Sequence, residues 1–167
     1  AHAAGRAAEA ELGAVMGHEA GPLPPYDELF RSGRGFTDPA EAKRFVDETG
    51  VDWLSVAIGN IHGAVAAATR GQKKIQARLD IAHLQRIRER TGIPLVLHGG
   101  SGIPKEYILD AVRHGMAKIN VATTLRQAYE SEMEHSIEQA QKAVYAATMS
   151  VLKDELEITG LASQCGL

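Results

Sequence analysis

The stretch "IPLVLHGGSG", residues 93–102, decides the reading of this chain. Four apolar residues run into His98, and then three glycines and Ser101 leave a loop with almost no side chains. A short apolar run bounded by turn residues is the pattern of a buried strand, fully covered on both faces. "IPKEYILDAVRHG" follows, with Pro104 at a helix start and Gly115 at its stop, so the segment reads as a strand, a glycine loop and a helix. In Gly99, Gly100 and Gly102 the missing Cβ lets a ligand approach the backbone, Ser101 adds a hydroxyl, and the helix beyond points its positive end at the loop. These features together describe an anion cradle.

Working outward, the same grammar recurs. "AAEAELG" (7–13), "VDWLSVAIG" (51–59) and "MAKINVAT" (116–123) read as three more strands. "TDPAEAKRFVDETG" offers Thr37 or Asp38 as a cap, Pro39 at the first helical position and Gly50 as a stop. "LDIAHLQRIRERTG" offers Asp80 as a cap, an inner stripe of Ile81, Leu84 and Ile87, and Gly92 as a stop. One long helix is expected from about Thr123 to Leu156, with Tyr129, Met133, Ile137, Val144, Val151 and Leu152 on its buried face. The segments 17–36 and 63–79 are expected to be long irregular loops.

The order is βαβαβαβα, which argues for parallel strands joined by right-handed crossovers. A doubly wound sheet and a (β/α)8 barrel share that order, and four units are half of the eight a barrel needs. In both, the loops after strand C-termini carry the site. Here those ends bear Glu9 and Glu11, then His62 in "AIGNIHG", then His98, then Asn120, Thr123 and Thr124. Neutral imidazole is a favoured zinc ligand, and catalytic zinc commonly takes three protein ligands with a position left open. Two histidines are one ligand short.

Composition narrows the partners. The chain has 167 residues with 44% apolar content, and its formal charge of −3 gives no basic footprint for nucleic acid or an anionic membrane. No apolar run approaches the roughly 20 residues that span a bilayer, and Cys165 is the only cysteine, so the expected setting is cytoplasmic with a small-molecule partner.

"EAELG", "VAIGNIHG", "IPLVLHGGSGIP" and "KINVAT", in this order, resemble the C-terminal half of the zinc-dependent class II ketose-bisphosphate aldolases. The resemblance runs from Ala1 to about Leu125. It implies an α/β fold of the TIM (β/α)8 type, with this chain covering about the last four βα units plus a long C-terminal helix. Residues 1–167 are then one domain, the C-terminal half of the barrel. The resemblance makes His62 and His98 two of three zinc ligands, and gives Glu11 to the metal or to a second divalent or monovalent cation. It makes Glu19 the proton-transfer residue, although the family often has an acidic pair where this chain has His18 and Glu19. It places Gly63, Gly99, Gly100, Ser101, Asn120, Val121, Ala122 and Thr123 around the dihydroxyacetone phosphate end of a sugar phosphate. The implied reaction is reversible aldol cleavage of a fructose or tagatose 1,6-bisphosphate to dihydroxyacetone phosphate and glyceraldehyde 3-phosphate, by a homo-oligomer, dimer or tetramer. "NVAT", with Ala122 where other members carry an acid, leans toward the tagatose branch.

One departure matters. The family's adjacent Asp-His pair, which supplies the third zinc ligand and the catalytic aspartate, does not occur in these residues. The first half of the barrel is therefore expected to be absent, and this chain alone is not expected to be an efficient aldolase. The alternatives are a non-catalytic phosphate-binding half-barrel remnant or scaffold, and a different phosphate-binding barrel whose histidines act as acid and base.

Overall fold

The computed structural model describes residues 1–16, 24–62 and 76–164. The chain forms two compact units, Ala1–Val121 and Ala122–Leu167.

In the first unit the four expected strands form: β1 (Glu9–Leu12), β2 (Trp53–Val56), β3 (Leu95–Leu97) and β4 (Met116–Ile119). They make one sheet in sequence order, parallel throughout. Glu11 stands in register with Ser55, Ser55 with Val96, and Val96 with Lys118, so these four positions share one face. Leu54, Val56, Leu95, Val96 and Leu97 are fully buried, and so is Ser55, the one polar residue among them.

The helices between the strands are α1 (Tyr26–Ser32), α2 (Pro39–Thr49), α3 (Ile81–Thr91) and α4 (Lys105–Arg113). Asp38 caps α2 by accepting from the N–H groups of Ala40 and Glu41, and Asp80 caps α3 by accepting from His83 N at 2.8 Å. Gly50 and Gly92 end them in the left-handed conformation. Leu84 and Ile87 of α3 and Ala111 of α4 are fully buried, and α3 lies against both α2 and α4.

Two expectations are corrected. Segment 17–36 was expected to be irregular, yet α1 lies within it, with Asp27 and Glu28 in its first turn and Gly33 at its end. The single long C-terminal helix is broken. The second unit holds α5 (Thr123–Glu132), α6 (Ile137–Ser150) and a π-helical turn over Val151–Glu155. Ser136 is extended, and its hydroxyl accepts from Gln139 N at 3.0 Å, which starts a new helix there. The break lets α5 and α6 lie against each other, with Ala140 and Val151 buried. Met133, Ile137 and Leu152, expected inside, are exposed.

No helix among the described residues is long and apolar enough to cross a membrane.

Candidate active site at the strand ends

β1 turns Glu9 and Glu11 to the same face, two residues apart, and β3 ends where His98 reaches them. His98 Nε2 is 3.0 Å from Glu9 Oε1, and His98 Nδ1 is 2.5 Å from Glu11 Oε2. Each carboxylate has a second partner. The Lys118 ammonium on β4 donates to Glu9 Oε2 at 2.7 Å, and the fully buried Ser55 hydroxyl donates to Glu11 Oε2 at 3.1 Å. Burial alone would push the Glu9 carboxyl up, but hydrogen bonds from Lys118 and His98 favour the charged form more strongly and hold it below the usual glutamate range.

The loop ends beyond this cluster are bound together through the backbone. Asn120 N donates to Leu97 O at 2.9 Å, and Gly100 N donates to Asn120 O at 2.9 Å. The Gly100 N–H is therefore spent within the protein, and the contribution of Gly100 is steric: a Cβ there would lie 2.6 Å from Ile119 Cγ2. Ser101 is buried, Gly99 has φ +68° in the left-handed region, and Val121 is half-buried. His62 stands just past a parallel bridge of Met16 with Ile61, and its N–H donates to Met16 O at 2.7 Å. Ala122 and Thr123 belong to the second unit, where they begin α5. Glu19 and Gly63 lie outside the described residues.

The structure thus brings together His98, Glu9 and Glu11, and adds three residues that the sequence did not single out: Ser55, Lys118 and Asn60. Ser55 and Lys118 are polar residues at positions in register with Glu11, a signal readable only once the strand pairing is known. Imidazole nitrogen and carboxylate oxygen are donor types that zinc accepts. Glu9 and Glu11 face opposite ring nitrogens of His98, however, and no group of three or more His, Cys, Asp or Glu able to hold a metal occurs among the described residues. The donor chemistry fits zinc, and the set is incomplete.

The family model of class-II fructose-bisphosphate aldolase matches residues 1–162. The chain belongs to that family. Family members agree with this at the level of sequence and of fold. The fructose-bisphosphate aldolase of Geobacillus stearothermophilus is 43% identical over 123 residues, covering 74% of this chain and 38% of that protein. That of Streptococcus pneumoniae (TIGR4) is 42% identical over 130 residues, covering 77% of this chain and 39% of its own. Among solved structures, a fructose-1,6-bisphosphate aldolase candidate from Coccidioides immitis superposes with a TM-score of 0.72 at 32% identity, covering 98% of this chain and 56% of that one. The YdjI aldolase of Escherichia coli K12 gives 0.65 at 33% identity, covering 90% and 50%. The chain spans about two fifths of the length of these curated relatives and about half of the solved ones. Its four parallel βα units are the α/β architecture expected from the sequence.

Proposed function

We propose that this chain is the phosphate-binding half of a zinc-dependent class II aldolase, which reversibly cleaves a ketose 1,6-bisphosphate of the fructose or tagatose type to dihydroxyacetone phosphate and glyceraldehyde 3-phosphate. The observation that carries the reading is His98 held between Glu9 and Glu11 at a strand end that opens directly into the "GGSG" loop.

In this reading His62 and His98 hold the zinc, with Glu11 beside it or serving a second cation, and the remaining ligand and the catalytic aspartate come from the other half of the barrel. Zinc, when bound, supplies Lewis-acid stabilisation of the negative charge that develops at the substrate ketone. The chain's own residues do the rest. Glu9 faces one ring nitrogen of His98 and orients the ring, much as outer carboxylates orient metal-binding histidines elsewhere, while the nitrogen that faces Glu11 would be the one to hold the zinc. Gly99 and Gly100 let the loop pack tightly on Ile61 and Ile119 and so set its backbone beside the substrate phosphate, while Ser101, Asn120 and Val121 line the same loop ends, and Gly63, Ala122 and Thr123 are assigned to the phosphate-binding role. Glu19 moves the proton at the carbon beside the ketone. The protein is read as a cytoplasmic enzyme of carbohydrate metabolism and glycolysis, working as a homo-oligomer, dimer or tetramer.

The test is cleavage of fructose and tagatose 1,6-bisphosphates by the complete protein, with and without chelator. Activity should vanish on chelation, return with zinc and be lost in His98→Ala together with the bound zinc. Activity that survives chelation, or zinc retained in full by His98→Ala, would overturn the reading.

A further inference from the structure

Asn60 is 3% exposed, and both ends of its amide are used. Its Oδ1 accepts from Ile58 N at 2.9 Å, closing a turn at the end of β2, and its Nδ2 donates to the carbonyl oxygen of His98 at 3.0 Å. The tie stands past the last registered pair of these strands, Ser55 with Val96. A partly buried carbonyl beyond the ladder still needs a partner, and here a side chain provides it. Beside this tie Gly99 comes so close that an added Cβ would lie 2.6 Å from the Ile61 carbonyl oxygen and 3.5 Å from His62 N. On its other side the same segment is joined to the stretch after β1 by His62 N donating to Met16 O. Residues 60–62 are thus suspended between two strand ends, and the neighbours of Asn60 on either side of the tie are the two histidine-bearing segments.

We infer that Asn60 is a positioning residue that sets the backbone of His98 against that of the His62 segment, and so fixes the relative placement of the two candidate zinc histidines. The residue type follows from the job. A primary amide carries a donor and an acceptor on one rigid, short group; an aspartate offers acceptors only, and a serine hydroxyl is too short to span both partners. The inference rests on the aldolase reading for what the histidines do, while the clamp itself is a statement about geometry.

Two variants of the full chain test it. Asn60→Asp keeps the shape and the acceptor for Ile58 but sets an oxygen against the His98 carbonyl; Asn60→Ser removes the span without adding charge. Ile87→Val, a buried change on α3, serves as a control for general loss of stability. The first readout is the ring resonances of His62 and His98 in the metal-free protein, assigned with His62→Gln and His98→Gln. The second is zinc affinity by competition with a chromogenic chelator. Both Asn60 variants should move both rings' resonances and weaken zinc by about tenfold or more, a size usual for groups that orient metal ligands. Ile87→Val should do neither. Ring resonances left in place by Asn60→Ser, or moved equally by Ile87→Val, would overturn the inference. If the parent chain, which lacks the remaining ligand, takes up no zinc, the ring resonances decide the clamp alone, and the metal reading is decided by the chelation test on the complete protein. Should Asn60→Asp not fold, the comparison of Asn60→Ser with Ile87→Val decides alone.

Discussion

Lys118 Nζ lies 2.7 Å from Glu9 Oε2, although β4 and β1 are the two outer strands of the sheet. Three strand spacings of about 4.8 Å would hold their backbones about 14 Å apart in a flat sheet. The two side chains meet because the sheet curls toward the face that carries Glu11, Ser55 and Lys118, as strands of a barrel must. The pair reports that curvature more than it causes it. Both side chains retain solvent contact, at 40% and 23% exposure, and pairs of this kind contribute about 0–1 kcal/mol. Lys118→Met is therefore expected to lower urea stability by less than about 1 kcal/mol, with a difference that shrinks in high salt. A loss of several kcal/mol, insensitive to salt, would mean that the pair holds the curve.

Tyr26 joins three segments. Its single hydroxyl proton is shared between the carbonyl oxygens of Gly59 at 3.0 Å and Arg78 at 3.1 Å, and its oxygen accepts from Arg78 N at 2.5 Å, while the Arg78 guanidinium lies 5.7 Å from its ring centroid and pairs with Asp27. Tyr26→Phe should cost about 1–3 kcal/mol, because partly buried carbonyls and an N–H lose their partner. The effect should depend on pH. Burial raises the Tyr26 phenol above its ordinary value, so the folded state binds the phenolic proton more tightly than the unfolded chain does. The stabilisation is complete below about pH 10, the unfolded value, and is lost as pH rises through the folded one. Urea titrations from pH 8 to 11 should show the gap between parent and Tyr26→Phe closing at the alkaline end; a constant gap would contradict this.

Much of the scaffold was legible because its signals are local. The largely apolar segment 54–58 and the apolar run 95–97 needed no partner to be read as buried strands, and Asp38, Gly50, Asp80 and Gly92 mark helix ends by their own chemistry. The α/β class followed from their order, and the choice of barrel from the family resemblance. The site was legible in part. His98 and Glu11 stood out as reactive types at strand ends, whereas Ser55, Lys118 and Asn60 matter through partners 44, 109 and 38 residues away in sequence. Such pairings exist only after the sheet has set its register. The anion cradle read from the glycine loop is a similar case, since at Gly100 the backbone N–H is consumed by Asn120 O.

The break between α5 and α6 escaped for a different reason: "EMEHSI" contains no glycine or proline, and its one signal is Ser136 followed three residues later by Gln139, a capping pattern. If that hydroxyl defines the start of α6, Ser136→Ala should cost about 1 kcal/mol. Thermal unfolding followed by circular dichroism measures it, and helix content at low temperature should stay near that of the parent. An unchanged midpoint would show that contacts between α5 and α6 set the break without the cap.

Gly99→Ala gives the sharpest steric prediction. Two demands coincide at this residue: φ is +68°, and the site of a Cβ is 2.6 Å from the Ile61 carbonyl oxygen. The backbone term alone costs about 1–2 kcal/mol for a residue with a Cβ. The contact is with backbone, not with the end of a flexible side chain, so it is relieved only by moving Gly99 and the Ile61 segment apart. Moving them apart strains the Asn60 tie to His98 O and shifts His62 relative to His98. Gly99→Ala is accordingly expected to lose about 2–4 kcal/mol in urea unfolding, the sum of strain and overpacking. Gly92→Ala supplies the comparison: it has nearly the same φ, +67°, but open space around its Cβ. It should lose only the backbone term. Equal losses at the two glycines would show that the close approach of Gly99 to Ile61 carries no energy of its own, and that the two histidine segments are held at their distance by something other than contact.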